Sequence, residues 1–246
     1  MAATFHRIET FENLHERVTR ALALQVIKAE RLSQTVVFPN EAELCQQLGV
    51  SRSILRESVK VLSDKGLIEV RPRSGTRSRP RAEWRLLDPD VLRWQSELQP
   101  DGRFLRDLCE VRLAIEPTAS GFAALRATVE EVLEIEHCLE RREALDQGDG
   151  SEEAIDLDLQ FYETVVAASH NLLFQQLSAS IRQPFRVALS YTVRLRASAA
   201  LELEKHRVLF EAIRRRDPLA ARETAEEIVG FAMIAVEQVI QAQRHA

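Results

Sequence analysis

The chain of 246 residues has 45% hydrophobic and 29% charged residues and a net charge of −5. That balance excludes a disordered chain, and no apolar run approaches the about 18 residues of a membrane span. Cys45, Cys109 and Cys138 make no CxxC pair, which argues against a disulfide framework or cysteine zinc site and suits a reduced cytoplasm. The N-terminus lacks a signal-peptide pattern.

The charge is unevenly spread. Residues 1–80 hold 13 Lys+Arg against 9 Asp+Glu, and the remainder holds 20 against 29. A basic N-terminal part on an acidic body suits a DNA reader joined to a sensing domain.

In chain order, Leu14, Val18, Leu22 and Val26 give a helical stripe through about Glu30. After a loop, Asn40 and Glu43 are spaced as a capping box for a short helix that Gly49 ends. Ser51 caps a second helix. Arg52, Arg56 and Lys60 lie along one side of it, and Leu55, Val59 and Leu62 form a neighbouring apolar stripe. Gly66 fits a C′ position, Leu67 to Val70 reads as a strand, residues 72–75 turn it, and Thr76 to Arg79 returns. Helix, turn, helix and basic hairpin predict a winged helix-turn-helix over residues 10–79, with the second helix entering the DNA major groove.

Residues 80–100 form a linker rich in Pro and charge, yet it carries both tryptophans, Trp84 and Trp94, with Leu86, Leu87, Val91 and Leu92. It reads as a packed segment with a short helix from Pro89 to about Leu98. Residues 101–246 read as helices 102–126, 128–146, 151–169, 172–196, 200–215 and 218–243, an antiparallel bundle with short loops. Pro117 and Pro184 are expected to kink or split their helices. The fold class is therefore mainly α, with one small β hairpin.

Three ionisable residues of the bundle stand in apolar stripes: Arg112, Asp158 and His206. Buried charges need partners. One reading makes all three the lining of a polar ligand cavity, with Arg112 as a fork for a carboxylate. The other pairs Arg112 with Asp158 as a buried salt bridge and leaves His206 a satisfied core histidine. No HExxH, P-loop, GxSxG or GxGxxG motif supports an enzyme.

The stretch PNEAELCQQLGVSRSILRESVKVLSDKGLIEVRPRSGT (39–76) resembles the winged helix-turn-helix of GntR-type bacterial transcription regulators. EVRLAIEPTASGFAA (110–124), DLQFYETVVAASHN (158–171) and EKHRVLFEAIRRRDPLAAR (204–222) resemble the FCD effector domain of the FadR subfamily. The linker EWRLLDPDVLRW (83–94) resembles that of a sugar-acid operon repressor within the subfamily.

The resemblance implies a homodimer on a short, near-palindromic double-stranded operator, half-sites about one helical turn apart or closer. Residues matching the family's DNA contacts are Ser51, Arg52, Ser53 and Arg56 on the recognition helix and Arg73, Ser74 and Gly75 at the wing tip. Ala42 stands where the family often has an arginine.

The resemblance also implies effector binding in the bundle by Arg112, Asp158, Tyr162 and His206, the effector being a small carboxylate such as a hexonate. The family's divalent-metal site uses an Asp and three His. Asp158 and His206 match two of them, Tyr162 and Ile228 stand at the others, and no metal is expected. His170 belongs to the family's SHN turn. The implied function is a cytoplasmic, ligand-responsive repressor of a sugar-acid operon. The alternative is a constitutive DNA binder whose bundle only dimerises.

Overall fold

The computed structural model describes residues 14–71, 75–98, 101–145, 151–192 and 199–244. The chain divides into two compact units, residues 1–98 and 99–246.

In the first unit, α1 (Leu14–Arg31) buries Val18, Leu22, Ala23, Val26 and Ile27. The stripe starts one turn later than its spacing suggests, because Leu14 is exposed. In α2 (Glu41–Leu48), Asn40 accepts the Glu43 N–H at 3.0 Å, but the Glu43 side chain does not complete the reciprocal half of a capping box. Gly49, at φ 64, closes α2 and donates its N–H to the last carbonyls. Ser51 caps α3 (Arg52–Asp64), whose Leu55, Ser58 and Leu62 face inward.

Gly66, at φ 80, turns the chain into β1 (Ile68–Arg71), which pairs antiparallel with β2 (Gly75–Ser78) in the register Ile68↔Ser78 to Arg71↔Gly75. The hairpin gains a third edge that sequence patterning missed. Val37 bridges Arg77, Phe38 N–H donates to Thr76 at 2.9 Å, and Ser78 N–H donates to Val36 at 2.9 Å.

A 3₁₀ turn at Arg81–Glu83 and α4 (Pro89–Ser96) follow. Trp84, Val91 and Trp94 share one core with Val18, Leu55 and Ile68, so the segment from Pro80 to Leu98 packs into the first unit. The Trp84 indole donates to Arg79 O at 3.0 Å. Asp88 caps α4 through the N–H groups of Asp90 and Val91, and Lys65 Nζ reaches Asp88 at 2.7 Å and Asp90 at 2.9 Å.

Among the described residues, the second unit holds α5 (Gly102–Arg126), α6 (Val129–Glu143), α7 (Glu152–Ala168), α8 (Leu172–Thr192), α9 (Ala199–Arg214) and α10 (Pro218–Arg244). Thr128 and Glu131 form a complete capping box on α6, and Asp217 caps α10 ahead of Pro218. Helices α5 and α10 run antiparallel in close contact. A Cβ on Gly102 would meet Ile240, and one on Gly121 would meet the Pro218 carbonyl. The expected split at the prolines does not occur: α5 continues through Pro117 and α8 through Pro184. Each proline removes one backbone hydrogen bond, while the packing on either side holds the helix together, with Pro117 itself buried. No helix of the described residues is long and apolar enough to cross a membrane.

Candidate functional site

On the first unit, the packing that buries Leu55 and Leu62 turns the opposite side of α3 outward. Ser51, Arg52, Ser53, Arg56 and Lys60 are exposed along it. Ser51 uses its hydroxyl on the Ile54 N–H, which leaves the two arginines as the long donors of the first turns. Sequence reasoning missed what sits against them. Glu41, at the first position of α2, accepts from Arg56 Nε at 2.9 Å and lies 3.7 Å from Arg52 Nε. The Arg56 hydrogen bond holds the Glu41 carboxyl below the usual carboxylate range. One carboxylate therefore lies against both candidate base readers.

At the wing, Gly75 opens β2 at φ 79 with nothing near a would-be Cβ. Arg73 and Ser74 lie outside the described residues. Arg71 and Arg77 both pair with Glu69 on β1.

In the second unit, the expected polar residues are buried, but their partners differ from both sequence readings. Arg112 does not pair with Asp158. Its Nε and Nη2 donate to the two oxygens of Glu116 at 2.6 and 3.0 Å, a bidentate bond one helical turn away on α5. Its guanidinium also lies 3.6 Å from the Phe185 ring centre and 5.1 Å from that of Tyr162. Burial disfavours the Arg112 charge, but the Glu116 carboxylate outweighs it and raises the Arg112 pKa further. Asp158 instead accepts from Arg142 Nε at 2.9 Å, a buried bond between α6 and α7. One turn further along α7, Tyr162 Oη lies 2.6 Å from His206 Nε2.

The result is a row of polar pairs inside an apolar bundle: Glu116 with Arg112, Tyr162 with His206, and Asp158 with Arg142. Glu116 and Arg142 escaped the sequence reading. The first was detectable from its spacing of four residues after Arg112. Arg142 sits in ERRE at the end of α6 and reads as a solvent-facing residue.

Two small cavities flank the row. One is lined by Glu116, Ser120, Tyr162 and Ile228, the other by Cys109, Arg112 and Phe185. Each has space for about one water molecule.

The family's metal set does not fit here. Ile228 offers no donor, His206 is engaged by Tyr162, and Asp158 is engaged by Arg142. Among the described residues, no three His, Cys, Asp or Glu side chains gather to hold an ion. His170, at φ 53 in the turn after α7, points to Glu131 at 2.9 Å, away from this row.

Residues 14–77 match the family described as bacterial regulatory proteins, gntR family, and residues 107–231 match the FCD domain. The chain belongs to the GntR family. Like its relatives, this FCD-carrying GntR protein is a regulator of transcription and not an enzyme. It is 34% identical over 214 residues to the galactonate operon transcriptional repressor of Escherichia coli K12, which covers 87% of this chain and 92% of the relative. The Glc operon transcriptional activator of the same organism is 28% identical, over 78% and 77% of the two chains.

Among solved structures, Streptococcus agalactiae GntR is 26% identical, with a TM-score of 0.51 over 90% of this chain and 99% of that one. A Listeria monocytogenes structure titled "Lar controls the expression of the Listeria monocytogenes agr system and mediates virulence" gives 0.56 at 18% identity, over 94% and 99%, and speaks for the fold alone.

Proposed function

We propose that this GntR regulator is a cytoplasmic homodimer that represses a sugar-acid catabolic operon and leaves its operator when a small carboxylate of the hexonate class enters the bundle. The observation that carries this reading is the 34% identity to a galactonate operon repressor across 87% of the chain. Ser51, Arg52, Ser53 and Arg56 read the major groove, with one arginine forking onto guanine O6 and N7 and the other on phosphate. Arg73, Ser74 and Gly75 follow the backbone from the wing.

In the bundle, Arg112, Asp158, Tyr162 and His206 meet the effector by direct hydrogen bonds, in place of the family's metal. The bundle centre is nearly full, so the effector-bound state differs from this one. Differential affinity for the two states is what drives release.

Gel shifts with double-stranded DNA from upstream of the protein's own gene test the reading. A salt-sensitive, sequence-dependent complex that galactonate dissolves is expected. A complex indifferent to every hexonate refutes the ligand response, and no complex at any neighbouring promoter refutes the operator.

A second reading keeps the DNA contacts and makes the bundle only a dimerisation device. The bidentate closure of Arg112 by Glu116 favours it, because that fork has no vacancy for a carboxylate. Thermal shift separates the two: a ligand at 100 times its Kd adds about 2.7 kcal/mol to the native state.

A further inference from the structure

We propose that Arg142, and not Arg112, is the side chain that takes the effector's carboxylate, which makes the α6–α7 pair the anionic end of the binding site. This rests on the effector reading above. Among the described residues, the two buried arginines of the bundle are in opposite conditions. Arg112 gives two N–H groups to Glu116 and its face to Phe185. Arg142 bonds to Asp158 through Nε, while its Nη1 is buried and, among the described residues, has no hydrogen-bond partner. The Arg142 side chain is only 9% exposed, so bulk water does not serve that donor.

A buried donor left open costs about 1–3 kcal/mol, and more when it is charged. Native chains rarely keep such a group without a use for it. A charged guanidinium N–H forms its strongest hydrogen bonds with an anionic oxygen, which makes a carboxylate the acceptor that suits it best.

The position of the pair extends the specificity. Asp158 and Tyr162 are four residues apart on α7, so they lie on one face about one turn, or 5.4 Å, apart. A ligand whose carboxylate sits on Arg142 runs toward the Tyr162–His206 pair, where phenol and imidazole suit hydroxyl groups. The ligand class is a polyhydroxy monocarboxylate, and its carboxylate is obligatory.

Titration calorimetry on the full-length protein tests this with three probes: galactonate, galactitol as its uncharged counterpart, and inorganic phosphate. The unmodified protein is expected to bind galactonate and neither of the others; a matching response to phosphate overturns the sugar-acid class. Arg142→Lys keeps a cation beside Asp158 but loses the fork, and it is expected to weaken galactonate by about tenfold or more. Affinity equal to the unmodified protein's overturns the proposal. A gel shift that still forms without ligand reports that the variant is folded.

Should Arg142→Lys fail to fold, a structure of the unmodified protein with galactonate gives the same decision. The expected carboxylate lies within hydrogen-bonding distance of Arg142 Nη1. A carboxylate seated on Arg112 with Glu116 displaced overturns the proposal. If the unmodified protein binds no hexonate at all, the effector reading falls first and takes this one with it.

Discussion

Replacing Glu116 by alanine isolates the ion pair that closes Arg112. The Arg112 side chain is 2% exposed and that of Glu116 12%, so both are shielded from solvent. Removing one member of such a pair leaves an uncompensated charge in the interior, which typically costs 3–5 kcal/mol. The small adjoining cavity offsets part of that, because Glu116 lines it and water can follow the lost carboxylate. A loss of about 3 kcal/mol is the expected outcome. For a unit of this size, about 2–4 °C accompanies each kcal/mol, so the bundle's melting temperature falls by about 6–12 °C. Scanning calorimetry of the full chain measures it. Glu116→Gln keeps one acceptor and is expected to lose less. A loss below about 1 kcal/mol in Glu116→Ala refutes the reasoning, since Arg112 would then be solvated or otherwise paired.

Three further outcomes are expected. Gly66→Ala meets the Glu83 carbonyl oxygen inside van der Waals distance at a positive φ, so it costs about 3 kcal/mol or more; Gly49→Ala, with open space around it, costs only about 1, and urea melts compare them. Burial raises the Asp88 pKa, but the Lys65 hydrogen bond and the α4 N–H groups together outweigh it and hold the carboxyl below its usual range. A depressed folded pKa means this stabilisation is complete above about pH 4 and is lost as pH falls through the folded value; Asp88→Asn, followed by acid titration of unfolding, removes that dependence. Glu41→Gln takes an acidic group from beside the proposed DNA contacts and frees Arg52 and Arg56, so binding to random-sequence DNA is expected to rise about two- to fivefold while operator preference falls, as read by competition gel shifts.

The elements legible in the sequence were those written in local chemistry. Asn40 and Ser51 announce helix starts, Gly49 and Gly66 announce stops, and apolar spacing places the helices between. What the pattern hid depends on residues distant in sequence. The bridge from Val37 to Arg77 joins residues 40 positions apart, and a single residue pair leaves no period to detect. The bond from Arg142 to Asp158 requires knowing how α6 lies on α7, whereas the bond from Arg112 to Glu116 stays within one helix. Local spacing could have given the second and never the first. The buried row was therefore legible as a set of misplaced charges, but its pairing was not. Glu41 was passed over for a related reason: as a first-turn acid it suits the α2 dipole, and nothing local places it against the arginines of α3.

Trp84 and Trp94 are the only tryptophans in the chain, and both lie in the core of the first unit at 5% and 2% exposure. Indole emission is thus a private signal of the winged unit, while the bundle that would receive a ligand is dark. Any change in emission on adding an effector must have travelled from one unit to the other. The unmodified protein carries its own optical gauge of that coupling, with the indole of Trp94 stacked under Lys65 as the needle.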